Sequence, residues 1–441
     1  MMKSICRLFG LLLLWLGSLS LILQPARAQT DQPLAIVLTA EGPIMPPMLE
    51  YIQRGIETAE RQNAEVLIIQ LNTPGGSIDA MLHIITAIRA SEVPVVVYVS
   101  PRNAFAGSAG APITIAAHAA AMAPETSIGA ATPIDQSGEN LYSDARAKVA
   151  NATKAAIRPY LERRGEEALK LGEAMIDEAK AATAKQALEA GLVDFVVDNV
   201  DDLLEALDGF TVQMNDGPRT LHTANTHAEP LDMSFIEQFL LLLTNPNIVF
   251  SLFSLGTTAL LIEISSPGGW VAGFIGVVCI TLAIYGMGVL SLNWFGIIFL
   301  ITAFVLFILD IKAPTHGALT AAGVASFIIG ALVLFNSPGV PQFQRVSVPL
   351  VVGMGLFLGL SFLGILAFAL RSIHRPMSIG AESYIGRTGT AKMWGEAGGQ
   401  VQLASELWSA EAIHESDKIG KGDKVEVVEV QGLRLKVRKI K

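Results

Sequence analysis

From Phe235 to Leu370 the chain is dominated by apolar residues in five successive stretches, about 245–263, 269–290, 293–311, 317–335 and 348–370. A hydrocarbon core of about 30 Å takes roughly twenty helical residues to cross. Backbone inside lipid has no water to bond with, so it must satisfy its own polar groups as helix. The pattern predicts five transmembrane helices in a membrane domain over residues 235–371. Stretches this poor in charge argue against a buried soluble bundle.

The rest of the chain differs in kind. With 441 residues there is room for two or three domains. A share of 51% hydrophobic and 16% charged residues suits a soluble part joined to a membrane part. Net charge is −9, which argues against a nucleic-acid partner. Only Cys6 and Cys279 are present, so neither a disulfide framework nor a thiolate metal site is expected, and no motif calls for a cofactor. Lys3 and Arg7, the apolar run Phe9 to Leu23 and Ala26-Arg27-Ala28 predict a signal peptide over residues 1–28, cut before Gln29. An uncleaved anchor is the alternative, and either one exports the segment from Gln29 onward. Five crossings then put the C-terminus in the cytoplasm of a multi-pass protein of a bacterial inner (plasma) membrane. Arg371, Arg375 and Lys312 fit the positive-inside rule, and Arg345 falls on the outer side.

Residues 29–210 read as an α/β unit. Leu34 to Thr39, Glu65 to Leu71, Val93 to Val99 and Leu192 to Val197 are strand-like. Pro46 to Gln62, Ile78 to Ala90, a block from Ala145 to Glu189 and Asp202 to Leu207 are helical. Alternating strands and helices imply a largely parallel sheet. Residues 211–234 are polar and read as a linker. In the tail, residues 380–441, Ser383 to Lys392, Gly399 to Leu403, Lys424 to Val430 and Leu433 to Val437 are short β-type runs punctuated by glycine, which predicts a small closed barrel.

Two turns could carry chemistry. Thr73-Pro74-Gly75-Gly76 ends a strand, and its paired glycines can turn backbone N–H groups outward to hold an oxyanion. An ordinary tight turn is the plainer reading. Ala106-Gly107-Ser108-Ala109-Gly110 ends another strand and opens an apolar helix, Ala111 to Ala117. A serine there is exposed between small neighbours, at a helix N-terminus that favours negative charge. A packing serine is the alternative. Serine needs a base. His118, ten residues on along the same expected helix, lies roughly 15 Å away. His83 reads as a surface or packing residue, and His222 and His227 fall in the expected linker. A desolvated lysine can serve instead. Lys148, flanked by Ala147 and Val149 at the opening of a helix, is the candidate and Lys154 the runner-up; a solvated helix residue is the plain reading of either.

Thr73-Pro74-Gly75-Gly76, Ser108-Ala109-Gly110 and Ala187-Leu188-Glu189-Ala190-Gly191-Leu192-Val193-Asp194 resemble the Clp/crotonase superfamily, and within it the long-form NfeD membrane proteases. The likeness extends through Asn245-Pro246-Asn247 and Ser266-Pro267-Gly268 to Gly386-Arg387-Thr388-Gly389, Trp408-Ser409-Ala410 and Gly420-Lys421-Gly422-Asp423-Lys424-Val425 in the tail. Ile128-Gly129-Ala130-Ala131-Thr132-Pro133 departs from the family at Thr132, where histidine is frequent. The resemblance implies a Clp-like α/β domain, an all-α membrane domain and an oligonucleotide-fold barrel. It implies an ATP-independent serine endopeptidase with a dyad of Ser108 and Lys148. Gly76 and Ala109 would supply the oxyanion amides, and Gly75, Gly129 and Ala130 would line the substrate. It further implies apolar protein segments as substrates, a stomatin (SPFH-type) membrane partner and homo-oligomers. Two other classes stay open: a non-proteolytic scaffold for that partner acting through the barrel, and an acyl-CoA enzyme of the crotonase type, which export disfavours.

Overall fold

A computed structural model describes residues 33–132, 143–265, 269–290, 292–313, 315, 317–337, 340, 342–373, 384–395, 398–414 and 418–440. The expected signal peptide, Pro133 and Ser266-Pro267-Gly268 lie outside these residues. The chain divides into two units, residues 1–361 and 362–441.

The first unit opens with β1 (Leu34–Glu41), α1 (Pro46–Arg61), β2 (Val66–Asn72), α2 (Ile78–Ala90), β3 (Val95–Val99) and β4 (Phe105–Gly107). Then come α3 (Gly110–Ala116), β5 (Ala119–Met122), β6 (Ser127–Gly129), α4 (Ser143–Arg164), α5 (Glu166–Asp177), β7 (Ala181–Thr183), α6 (Ala184–Glu189), β8 (Phe195–Val196) and α7 (Val200–Leu207). Every residue of β3 is buried. Val95, Val97 and Val99 join one apolar cluster and Val96 and Tyr98 another, so the sheet is covered on both faces. α1 starts with Pro46 in its first turn, where a missing N–H costs nothing. It buries Met48, Tyr51, Ile52, Ile56 and Ala59 at helical spacing. A second sheet, β4-β6-β7, stands apart from the main one.

The expected linker is instead structured. β9 (Thr211–Met214) and β10 (Gly217–Thr220) form a hairpin, and β11 (His227–Pro230) pairs in parallel with β1. The main sheet therefore runs β11-β1-β2-β3-β5-β8. Val212, Met214 and Leu221 are buried against Leu203, Leu204 and Leu207 of α7. β9 buries only alternate residues and β10 and β11 bury none completely, so their polar composition hid them. His118 is also corrected. α3 stops at Ala116, and the buried imidazole Nδ1 accepts the Val95 N–H at 3.0 Å.

After α8 (Phe235–Leu242), five helices occupy the five apolar stretches: α9 (Pro246–Ser265), α10 (Val271–Val289), α11 (Phe295–Lys312), α12 (Ala318–Phe335) and α13 (Val348–Ile373). Among the described residues three spans, Pro246–Ile264, Val271–Val289 and Ala318–Phe335, have the length and apolarity to cross a membrane. Phe295–Asp310 and Val348–Gly364 are apolar over shorter lengths. α9 and α10 pack antiparallel through small residues. A Cβ on Gly276 would lie 3.1 Å from the Gly256 carbonyl, and one on Gly286 2.6 Å from the Leu243 carbonyl.

The second unit holds a closed barrel of β12 (Thr388–Gly395), β13 (Gly398–Leu403), β14 (Glu406–Ala412), β15 (Lys424–Gln431) and β16 (Arg434–Lys439), in the order β12-β13-β14-β16-β15. Ala391, Val401, Leu403, Ala410, Val425, Val427, Leu435 and Val437 fill it. The strand Glu406–Ala412 is additional to those read from the sequence.

Candidate active site

β2 ends at Asn72 and the chain turns through Thr73-Pro74-Gly75-Gly76 into α2. Thr73 locks the turn. Its buried Oγ1 accepts the Gly75 N–H at 3.0 Å and donates to the Gly75 carbonyl at 3.2 Å. Its backbone straps the turn to β4, with the Thr73 N–H on the Phe105 carbonyl at 2.8 Å and the Gly107 N–H on the Thr73 carbonyl at 2.9 Å. Gly75 sits at φ 112°, and a Cβ there would come within 2.4 Å of the Ser108 Cβ and 2.9 Å of its Oγ. Gly76 bridges in parallel to Ile44. The Ile44 N–H takes the Gly75 carbonyl at 2.8 Å, and the Ser77 N–H takes the Ile44 carbonyl at 2.8 Å. That pairing uses Gly75 and Ser77 and does not use the Gly76 N–H.

Ser108 stands between β4 and α3 at φ 47°, in the left-handed region. A non-glycine residue there costs about 1–3 kcal/mol and persists only where its surroundings hold it. Here the straps from Thr73 hold it. Among the described residues, neither the Gly76 N–H nor the Ala109 N–H has an acceptor. A pocket of about 40 Å³ adjoins Ser108, lined by Gly76, Ile78, Met81, Ala109, Pro112, Ala131 and Thr153. Most of the side chains that line it are apolar, yet polar and apolar surface are equal in it, and it admits little more than a small side chain.

The β6 segment enters from the side. Gly129 pairs with Gly107 on β4. Gly129 (φ 121°) and Ala130 (φ 49°) both have positive φ. The Ala130 N–H is taken by the Lys180 carbonyl at 2.7 Å and the Ala131 N–H by the Met175 carbonyl at 2.8 Å, which aims Ala131 at the pocket. Thr132 donates to the Ile176 carbonyl at 3.0 Å.

Gly75, Gly76, Ser108, Ala109 and the Gly129–Ala130 turn thus converge. Lys148 is not among the residues that line the pocket. α4 buries Ala150, Thr153, Ile157 and Leu161, a stripe that leaves Ala147 and Lys148 exposed on another face. Thr153, not Lys148, is the α4 residue in the pocket wall. The described residues around Ala147 and Val149 leave the Lys148 side chain exposed. Lys154 donates to Asp177 at 2.9 Å. His83, His222 and His227 are exposed, and none of them lines the pocket. Burial, then the charges of Arg89, Arg219 and Arg163, pushes the His118 pKa down to about 3. Sequence reasoning missed Ile44, Ile78, Met81, Pro112 and Thr153, which are ordinary apolar or helical residues until the fold assembles them.

Comparison with known proteins now bears on this arrangement. Residues 37–215 match the NfeD1b N-terminal domain, residues 247–368 the NfeD integral membrane domain, and residues 381–439 the NfeD-like C-terminal, partner-binding domain. Over 409 residues the chain is 34% identical to the membrane-bound protease PH1510 of Pyrococcus horikoshii, covering 90% of this chain and 92% of that relative. The chain belongs to the NfeD family. A second NfeD relative, membrane protein NfeD1b of Bacillus subtilis, is 26% identical over 458 residues, 98% of this chain and 99% of its own. The solved 1510-N membrane-bound stomatin-specific protease with a substrate peptide is 32% identical, covers 48% of this chain and 98% of its own, and superposes with a TM-score of 0.45. In NfeD terms the chain is a Clp-like α/β domain, a helical membrane region with three helices, among the described residues, long and apolar enough to cross a membrane, and a C-terminal OB-like barrel.

Proposed function

We propose that this chain is a membrane-anchored, ATP-independent serine endopeptidase with Ser108 as nucleophile and Lys148 as general base. The observation that carries the reading is the strained Ser108 held against Gly75, beside the unused N–H groups of Gly76 and Ala109. Ser108 Oγ attacks a peptide carbonyl and its proton passes to Lys148 Nζ. The two amides take the oxyanion. The tetrahedral intermediate expels the amine, which leaves with the proton, and water then hydrolyses the acyl-serine. Identity with a membrane-bound protease supports this class. The side chains of Ile78, Met81, Ala109, Pro112 and Ala131 beside Ser108 support apolar segments with small side chains as substrate. Exposed Lys148 gains its desolvation from bound substrate or a second copy, which favours homo-oligomers. Family membership favours a stomatin-type membrane partner for the barrel of residues 380–441. Three or five crossings are both odd, so an exported α/β domain implies a cytoplasmic barrel. Fluorophosphonate should label the full chain but not Ser108→Ala, and the unsubstituted chain alone should cleave apolar peptides. Absence of both activities refutes the peptidase. The scaffold reading, favoured by the exposure of Lys148, then takes its place.

A further inference from the structure

α8 carries two unlike faces. Phe235, Ile236, Phe239 and Leu242 are 81%, 67%, 36% and 50% exposed. At 100° per residue they share one side, and the rings of Phe235 and Phe239 stack at 6.3 Å. Glu237 lies on the opposite side, 6% exposed, and Arg54 of α1 grips it at 2.8 and 2.7 Å. A soluble domain seldom leaves four large apolar side chains together in water. Only three residues separate α8 from α9, which has the length and apolarity of a membrane span. The close approach of Gly286 to the Leu243 carbonyl sets the end of α8 level with Tyr285 of α10. Tyr285, Trp294 and Phe295 are 40%, 65% and 71% exposed at that same end of the helices. Aromatic side chains so placed mark the membrane–water interface.

We propose that α8 is an interfacial helix. Its Phe235, Ile236, Phe239 and Leu242 insert among lipid headgroups, while the Arg54–Glu237 pair holds the α/β domain on the bilayer surface. The occupant of the exposed face is lipid, because the face continues directly into a membrane span. The depth expected is about 5–10 Å into the headgroup and acyl boundary. Leu241, on the protein side of α8, reaches Gly42, where a Cβ would lie 4.0 Å from its Cδ2. Two residues later Ile44 bridges to Gly76. Membrane docking through α8 is independent of any peptidase activity.

The test uses the full chain in nanodiscs, with Cys6→Ser and Cys279→Ser and one reporter cysteine carrying a fluorophore. Phe239→Cys reports the α8 face, with Phe235→Cys as a second probe should the first destabilise the chain. Lys185→Cys, 85% exposed on α6, marks solvent. A nitroxide just below the lipid headgroup should quench the α8 labels several-fold more than one at the acyl terminus. Aqueous iodide should quench the Lys185→Cys label and spare the α8 labels. Labels on α8 as open to iodide as the solvent marker would overturn the proposal. So would α8 labels shielded from both quenchers, or the unlabelled Phe239→Cys chain forming a disulfide between two copies under oxidant, since the occupant would then be protein.

Discussion

Gly75 and Ser108 occupy one space: a Cβ on the glycine would stand 2.4 Å from the Cβ of the serine. The position of Ser108 therefore depends on a side chain that is absent. Gly76 is constrained differently, since a Cβ there would meet the Ile44 carbonyl oxygen at 2.1 Å and break the bridge. Substituting Gly76 disturbs the fold, so Gly75 is the cleaner probe.

Gly75→Ala should move Ser108 and strain the turn, whose φ of 112° disfavours any Cβ. Misplacement of a reacting group by about 1 Å costs about 10²-fold in rate. Peptide cleavage should fall by about that much, and the thermal midpoint should drop modestly. Wild-type kcat/KM in this variant would remove Gly75 from the site.

Lys148→Arg keeps the charge but gives a side chain that cannot act as a base. It should be as inactive as Lys148→Ala. Lys154→Ala should keep most activity, losing only a partly exposed pair with Asp177 worth about 0–1 kcal/mol. Normal cleavage by Lys148→Arg would exclude Lys148 as the base.

His118 gives the α/β domain an acid limit. Its pKa falls from 6.5 unfolded to about 3 folded, through burial first and then Arg89, Arg219 and Arg163. Between those values the unfolded chain binds the extra proton, so stability is lost as pH falls. Calorimetry from pH about 7 to about 4 should show the midpoint falling, and His118→Gln should flatten that dependence. An unchanged slope in the variant would locate the proton uptake elsewhere.

Glu237 is held below the usual carboxylate range, chiefly by its hydrogen bonds from Arg54 and then by those from Ser234. A depressed carboxylate stabilises above its unfolded pKa and loses that contribution as pH falls through the folded one. Arg54→Ala should cost about 1.5–3 kcal/mol and raise amide exchange over residues 234–242. Exchange there unchanged by the substitution would mean that the ion pair does not hold α8.

Much of this was legible in one dimension. The five helices lie within a few residues of the apolar stretches, because continuous apolarity and helical length are local properties. The Thr73–Gly76 and Ser108 turns were likewise visible, since backbone that needs small residues advertises them. Tertiary structure decided the rest. β11 is a strand only because β1 offers it an edge. Ile44 matters only because its carbonyl and N–H reach across to the turn beside Gly76. The face of α4 that is buried depends on what packs against it, so Thr153 enters the pocket while Lys148, five positions earlier, faces water. Sequence periodicity specifies which residues share a face. Only packing specifies which face is turned inward.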